Sequence, residues 1–179
     1  FAIWPEHIWG PLHPAFNALD QLLESRGQGA EGKDGKGFRL NVVNALWGQT
    51  GFHFEQAFLD TLARNYGAGL RLVDFIQTAE PARQTINAWV SDQTEGRIKD
   101  LIPAGAIDST TRLVLTNAIY FNAAWLYPFT EAHTADAPFT RLDGSTVSAP
   151  MMALQESLGY VAGEGYQAVD LLYSGGELS

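Results

Sequence analysis

Residues 86–129 read INAWVSDQTEGRIKDLIPAGAIDSTTRLVLTNAIYFNAAWLYPF, and three kinds of patterning follow one another along them. Ile86, Trp89 and Val90, with Ala82 ahead of them, fall three and four apart, the spacing that lines one face of a helix. Thr78 stands where it can cap that helix, and Pro81 falls in the first turn, where a residue without an N–H is tolerated. A helix is therefore predicted over 80–94. Residues 96–110 hold Pro103 and Gly105 and no apolar period, as in a long irregular connection. Residues 111–122, TRLVLTNAIYFN, are apolar at both alternate sets of positions, as in a strand covered on both faces.

Outward from this core, the same patterns recur. Leu12, Phe16, Leu19, Leu22 and Leu23 predict an amphipathic helix over 12–25, with Pro11 and Pro14 at its start. Gly27, Gly29, Gly32, Gly35 and Gly37 then predict a flexible surface loop. Residues 39–48, RLNVVNALWG, read as a second strand covered on both faces. Phe54, Phe58, Leu59, Leu62 and Tyr66 give a helix ending near Gly67, and 70–76 a short strand. Downstream, strands are predicted around 134–141, 145–152, 156–162 and 166–173, with Asp143-Gly144 as a hairpin turn. Helices first and hairpins later argue for an α+β fold. No internal repeat or interdomain linker is visible.

The 179 residues suffice for one domain, and 46% hydrophobic against 17% charged residues exclude a disordered composition. Eleven Lys and Arg against twenty Asp and Glu give a net charge of −9, which repels phosphate backbones and anionic surfaces, so no nucleic-acid and no membrane partner is expected. Cysteine is absent, which removes disulfides, thiol nucleophiles and cysteine metal sites. No apolar run approaches the ~20 residues of a membrane span. The first ten residues, FAIWPEHIWG, have neither an initiator Met nor the make-up of a secretory leader, and both ends read as cut.

The stretch 86–129 resembles a serpin. In order it holds Ile-Asn-x-Trp-Val from Ile86, Thr94-x-Gly96-Arg97-Ile98, Leu101-Ile102-Pro103, Ile107-Asp108, Thr111-Arg112-Leu113-Val114-Leu115, Asn117-Ala118-Ile119-Tyr120-Phe121, and Trp125 before Pro128-Phe129. Asp143-Gly144, Pro150-Met151-Met152 and Leu12-His13-Pro14-Ala15-Phe16 extend the match over 11–179, in wording similar to the prokaryotic branch. Residues 1–10 stand outside it as an atypical segment.

The resemblance implies a partial serpin fold covering roughly the middle half of the domain. Helix 12–25 would flank the main sheet A, whose strands would include 39–48, 70–76 and 111–122. Helix 80–94 would cross the face of that sheet, and the hairpins over 134–173 would begin the smaller sheets B and C. Serpins inhibit serine proteases by inserting a cleaved loop as a new strand of sheet A, a standing example of strand addition and released strain. Asn117, mid-strand among Leu115, Ile119 and Phe121, would be a buried amide of the hydrogen-bond cluster that governs sheet opening. Its plain alternative is a satisfied core amide. Trp125 would mark the end of the sheet where insertion begins, or else pack as an ordinary large aromatic. Ile86 and Trp89 are expected only to pack the crossing helix, and Asn44 is expected to be a second buried strand amide without an assigned role. Asn122-Ala123 departs from the family's Lys-Gly. The reactive-centre loop is absent from this chain, so a serine-protease partner would be reached only through residues missing here, and the chain alone is expected not to inhibit. The family implies an extracellular protein, or a cytoplasmic one if the source is prokaryotic.

Other chemistry finds little support. Gly27-x-Gly29-x-x-Gly32 formally matches a dinucleotide fingerprint, but a helix precedes it and a strand follows, the reverse of what phosphate binding needs. An unrelated nucleotide-binding enzyme is thus the weak rival. A non-inhibitory serpin relative acting as a binding or structural module is the stronger one. His7, His13, His53 and His133 are dispersed without metal spacing, and no Gly-x-Ser-x-Gly elbow occurs. No catalytic residue, cofactor or metal is expected.

Overall fold

The computed structural model describes residues 6–66 and 69–179. Trp4, the Trp9 ring and Gly67, at which the second helix is expected to end, lie outside the described residues. Among the described residues three helices and seven strands follow in the order α1 (Glu6–Glu24), β1 (Arg39–Gln49), α2 (Gln56–Asn65), β2 (Arg71–Val73), α3 (Ala79–Gln93), β3 (Leu113–Asn122), β4 (Ala135–Thr140), β5 (Thr146–Met151), β6 (Gly159–Gly163) and β7 (Tyr166–Asp170), with a short 3-10 turn at Glu131–His133. The chain parts into two compact units, one reaching to Ser25 and resuming over Leu40–Phe121, the other formed by Arg26–Arg39 and Asn122–Ser179.

In the first unit β1, β2 and β3 form a sheet in the order β2-β1-β3. β1 and β2 are parallel, with Trp47 opposite Arg71 and Gln49 opposite Val73, and α2 lies in the connection that a parallel pair requires. β1 and β3 run antiparallel, because Gln49 N–H donates to the Arg112 carbonyl while Asn44 meets Asn117. The core lies under α3: Ala45 and Trp47 from β1, Phe75, Ala82 and Ile86, and Ile107 from the connection after α3. This is the apolar stripe expected of residues 80–94, and it buries one face of the sheet.

Several local expectations need correction. α1 begins earlier than residue 12, so Pro11 and Pro14 lie within its body, where each lacks the N–H that would bond four residues back. β2 is three residues long because Asp74 turns the chain. Its carboxylate accepts the N–H groups of Ile76 at 3.0 Å and Gln77 at 2.9 Å, leaving 74–76 no extended backbone for a ladder. Buried Gln49 completes the turn, its Oε1 accepting Phe75 N–H at 2.6 Å and its Nε2 donating to Asp74 at 3.2 Å. Thr78 does not cap α3 with its side chain; its hydroxyl donates to the Asp74 carbonyl at 2.9 Å.

The Asp74 turn makes stability depend on acid. The Gln77 N–H first, then the Gln49 amide and the Ile76 N–H, hold the Asp74 carboxyl below its ordinary value against a smaller opposing effect of desolvation. A carboxyl lowered in the folded state stabilises fully above its unfolded pKa of about 3.9, and that contribution is lost as pH falls through the folded value. Thermal melts from pH 7 to pH 3 should therefore hold level and then drop below about pH 4. Asp74→Asn should shallow that drop, and an unchanged slope would remove Asp74 from the account.

In the second unit β4 and β5 pair from Ala135↔Met151 to Thr140↔Thr146. Gly144, at φ +80, closes their turn, and Asp143 accepts Ser145 N–H at 2.8 Å. β6 and β7 pair from Gly159↔Asp170 to Gly163↔Tyr166 through a two-residue turn with Gly165 at φ +80. The glycine-rich loop belongs to this unit and is pinned rather than loose. Gly27 N–H donates to Glu177, Glu31 N–H to Ser174 Oγ and Lys33 N–H to Asn122 Oδ1, at 2.8, 3.1 and 2.8 Å. Gly27 sits at φ +70 with its position for a Cβ 2.1 Å from the Phe38 ring, so no other residue fits there unchanged.

Candidate functional site

β3 is an edge of its sheet among the described strands, and the alternation of a strand gives it two unlike faces. Thr116, Ala118 and Tyr120 are buried on one face. There the Trp47 indole N–H donates to Thr116 Oγ1 at 3.1 Å, and that hydroxyl donates to the Ala45 carbonyl at 3.3 Å. Tyr120 OH donates to the Glu95 carboxylate at 3.2 Å, which ties β3 to the turn following α3. Glu95 holds that turn at φ +50, an uncommon conformation for a residue with a Cβ.

The opposite face carries Leu115, Asn117, Ile119 and Phe121, and it is open. Leu115 is 69% exposed, Ile119 59% and Phe121 41%. The expectation of two covered faces thus fails for β3: the described residues cover only the side under α3. Asn117 is accordingly exposed rather than buried. Its amide still has a specific partner, Nδ2 donating to Asn44 Oδ1 at 2.8 Å. Asn44, also exposed, has the role that the sequence left unassigned, as the other half of a cross-strand amide pair. Both border a groove of about 890 Å³ whose walls include Phe16 and Leu19 of α1, Phe58 and Leu62 of α2, and Leu115.

α3 and the connection after it are joined as one body. Buried Asn87 donates from Nδ2 to the Ile102 carbonyl and accepts Ile102 N–H at Oδ1, both at 2.9 Å. Arg83 adds a bond to the same carbonyl at 2.8 Å while pairing with Glu80 at 2.6 Å. Its hydrogen bond lowers the Glu80 carboxyl and raises the guanidinium. Thr94 Oγ1 accepts Ile98 N–H at 3.1 Å. Asn87 belongs to the Ile-Asn-x-Trp-Val motif, yet its partner fifteen residues away is not readable from spacing.

Trp125 lies in the second unit, so the two expected site residues fall in different units. Its ring stacks on Tyr173 with centroids 4.3 Å apart and planes 11° from parallel, and the two residues form a β-bridge. Ala124 N–H donates to the Glu31 carbonyl and Ser174 N–H to the Ala124 carbonyl. Asn122, which departs from the Lys that the resemblance implies, accepts Lys33 N–H, so its carboxamide fastens the glycine-rich loop. That loop follows α1 and leads into β1, which leaves no helix N-terminus for a phosphate. His13 Nδ1 and Tyr66 OH share a hydrogen bond of 2.7 Å. No group of three or more metal-ligating side chains occurs among the described residues, and none of their helices is long and apolar enough to cross a membrane.

The family model for serpins, serine protease inhibitors, matches residues 11–179. The pig (Sus scrofa) leukocyte elastase inhibitor is 40% identical over 170 residues, 94% of this chain and 43% of that protein. Mouse (Mus musculus) antithrombin-III is 38% identical over 148 residues, 82% of this chain and 32% of that protein. Among solved structures, an Arabidopsis serpin in its native stressed conformation is similar with a TM-score of 0.66 and 31% identity, over 88% of this chain and 42% of that one. The chain belongs to the serpin family. It spans less than half the length of these relatives. Its three helices, its mixed sheet A of β1, β2 and β3, and its hairpins of the smaller sheets B and C make an α+β partial serpin fold, and the family is one of protease inhibitors rather than enzymes.

Proposed function

We propose that this chain is the sheet-A portion of a serine-protease inhibitor that acts by loop insertion, and that by itself it does not inhibit. The observation that carries this is β3: a strand at the edge of its sheet among the described strands, fixed to β1 by the Asn44–Asn117 pair and by Thr116, and to the turn after α3 by Tyr120, a position from which a sheet can accept another strand. The names of the relatives, an elastase inhibitor and an antithrombin, support a serine protease as the partner. Residues 11–179 form one partial serpin domain in this reading, with 1–10 outside it. Asn117 and Asn44 form the amide switch of the opening sheet, and Trp125 marks where insertion starts. Family resemblance supports an extracellular site of action, or a cytoplasmic one for a prokaryotic source.

The test is a denaturing gel after mixing the protein with elastase-like, trypsin-like and chymotrypsin-like serine proteases. This chain alone is expected to give no denaturant-stable complex, while a longer natural form containing it gives one. A stable complex with this chain alone would overturn its non-inhibitory half. A longer form that is merely cleaved would favour a non-inhibitory serpin-fold binding module.

A further inference from the structure

Arg71 stands directly opposite Trp47 in the parallel register of β1 and β2, so its side chain leaves the sheet on the face that Trp47 shares with α3. Its guanidinium carbon lies 5.3 Å from the Trp47 ring centroid and 5.0 Å from that of Trp89. Both distances are within the range over which a cation is drawn to an aromatic face. The two indoles meet edge to face, 5.7 Å apart at 74°. One ring belongs to the sheet and the other to α3, and Arg71 itself lies on the three-residue edge strand. Among the described residues no carboxylate pairs with Arg71, so its charge is directed at the rings rather than at an acid. The planar, weakly hydrated guanidinium suits that position better than an ammonium would.

We propose that Arg71 is a clamp that fastens the crossing helix α3 to the edge of sheet A through the faces of Trp47 and Trp89. β2 contributes only three residues to its ladder with β1, so the clamp holds the short strand as well as the helix. Any event that lifts α3 must part the guanidinium from at least one ring. Where the protein inserts a loop, which rests on the inhibitor reading, the clamp raises the barrier to moving α3. The clamp itself does not depend on that reading.

The test is native-state hydrogen exchange on this chain carrying Arg71→Met, which keeps an apolar stem against the rings but no charge, and Arg71→Lys, which keeps a charge. In Arg71→Met the amides of Ile86 to Val90 are expected to lose protection about tenfold, while those of Leu59 to Leu62 in α2, to which neither ring belongs, keep theirs. Arg71→Lys should restore part of the loss. Protection unchanged in α3, or lost equally in α2 and α3, would overturn the clamp, since the first means no holding and the second a general loss of stability. Because no protease enters the experiment, failure of the clamp and failure of the inhibitor reading are separately visible.

Discussion

Phe75→Ala is expected to lower the folding stability of this chain by about 3–5 kcal/mol, the range for emptying a buried aromatic site. Phe75 has no solvent exposure and joins the cluster of Trp47, Ala82 and Ile86 under α3. Its N–H is held by Gln49, and the Asp74 turn fixes the backbone on its other side. The site therefore resists collapse and the cavity stays open, which is the condition for a cost at the upper end. Domains have about 5–15 kcal/mol in total, so the loss removes a large fraction of the whole. Urea denaturation measures it: the midpoint should fall with the slope unchanged. A loss under about 1 kcal/mol would mean that the ring does not anchor this core.

The second large effect concerns association. Leu115, Ile119 and Phe121 form a row on the open face of an edge strand, beside the apolar groove under α1 and α2. Exposed apolar patches beyond a few hundred Å² and unpaired strand edges both recruit other chains. In sedimentation at micromolar concentration this chain should run as oligomers. Replacing Leu115, Ile119 and Phe121 together with Thr should shift it several-fold in mass toward the single chain. Thr keeps the β preference of the strand, and the opposite face, with Thr116, Ala118 and Tyr120 in contact with the core side, is untouched. A monomeric parent chain would refute the expectation outright, and a triple variant that associates as strongly would move the contact elsewhere.

The elements around α3 and β3 are legible in the sequence because period and motif agree there. Ile86, Trp89 and Val90 keep helical spacing, and the core they form is a short-range consequence of it. What escapes is set by distant partners. Strand 70–76 breaks at Asp74 because that residue's own carboxylate and the Gln49 amide from β1 bind the backbone that follows, and nothing in the local hydropathy marks that. The glycine-rich loop reads as loose from composition, yet Asn122, Ser174 and Glu177 hold it. Asn117 is recognisable by its motif, but not its pairing with Asn44, 73 residues earlier. Its exposure likewise follows from what covers the sheet, not from the strand's own residues. Arg71 reads as one more surface charge until the register places it beside Trp47.

The bond from Gly27 to Glu177 spans 150 residues, and this sets an order of events on the ribosome. Residues 26–39 are made between α1 and β1, and the partners of Lys33, Glu31 and Gly27 follow them by 89, 143 and 150 residues. At about 5–20 residues per second, the glycine-rich stretch waits roughly 8–30 s before its last partner leaves the exit tunnel. During that interval β1 and α3 can already assemble around Phe75. Lys33 and Lys36 remain open to proteases until residues 122 and 174–177 arrive to hold the loop. Trypsin added to stalled nascent chains would reveal that window as cleavage at 33–36 which disappears once residue 177 is free.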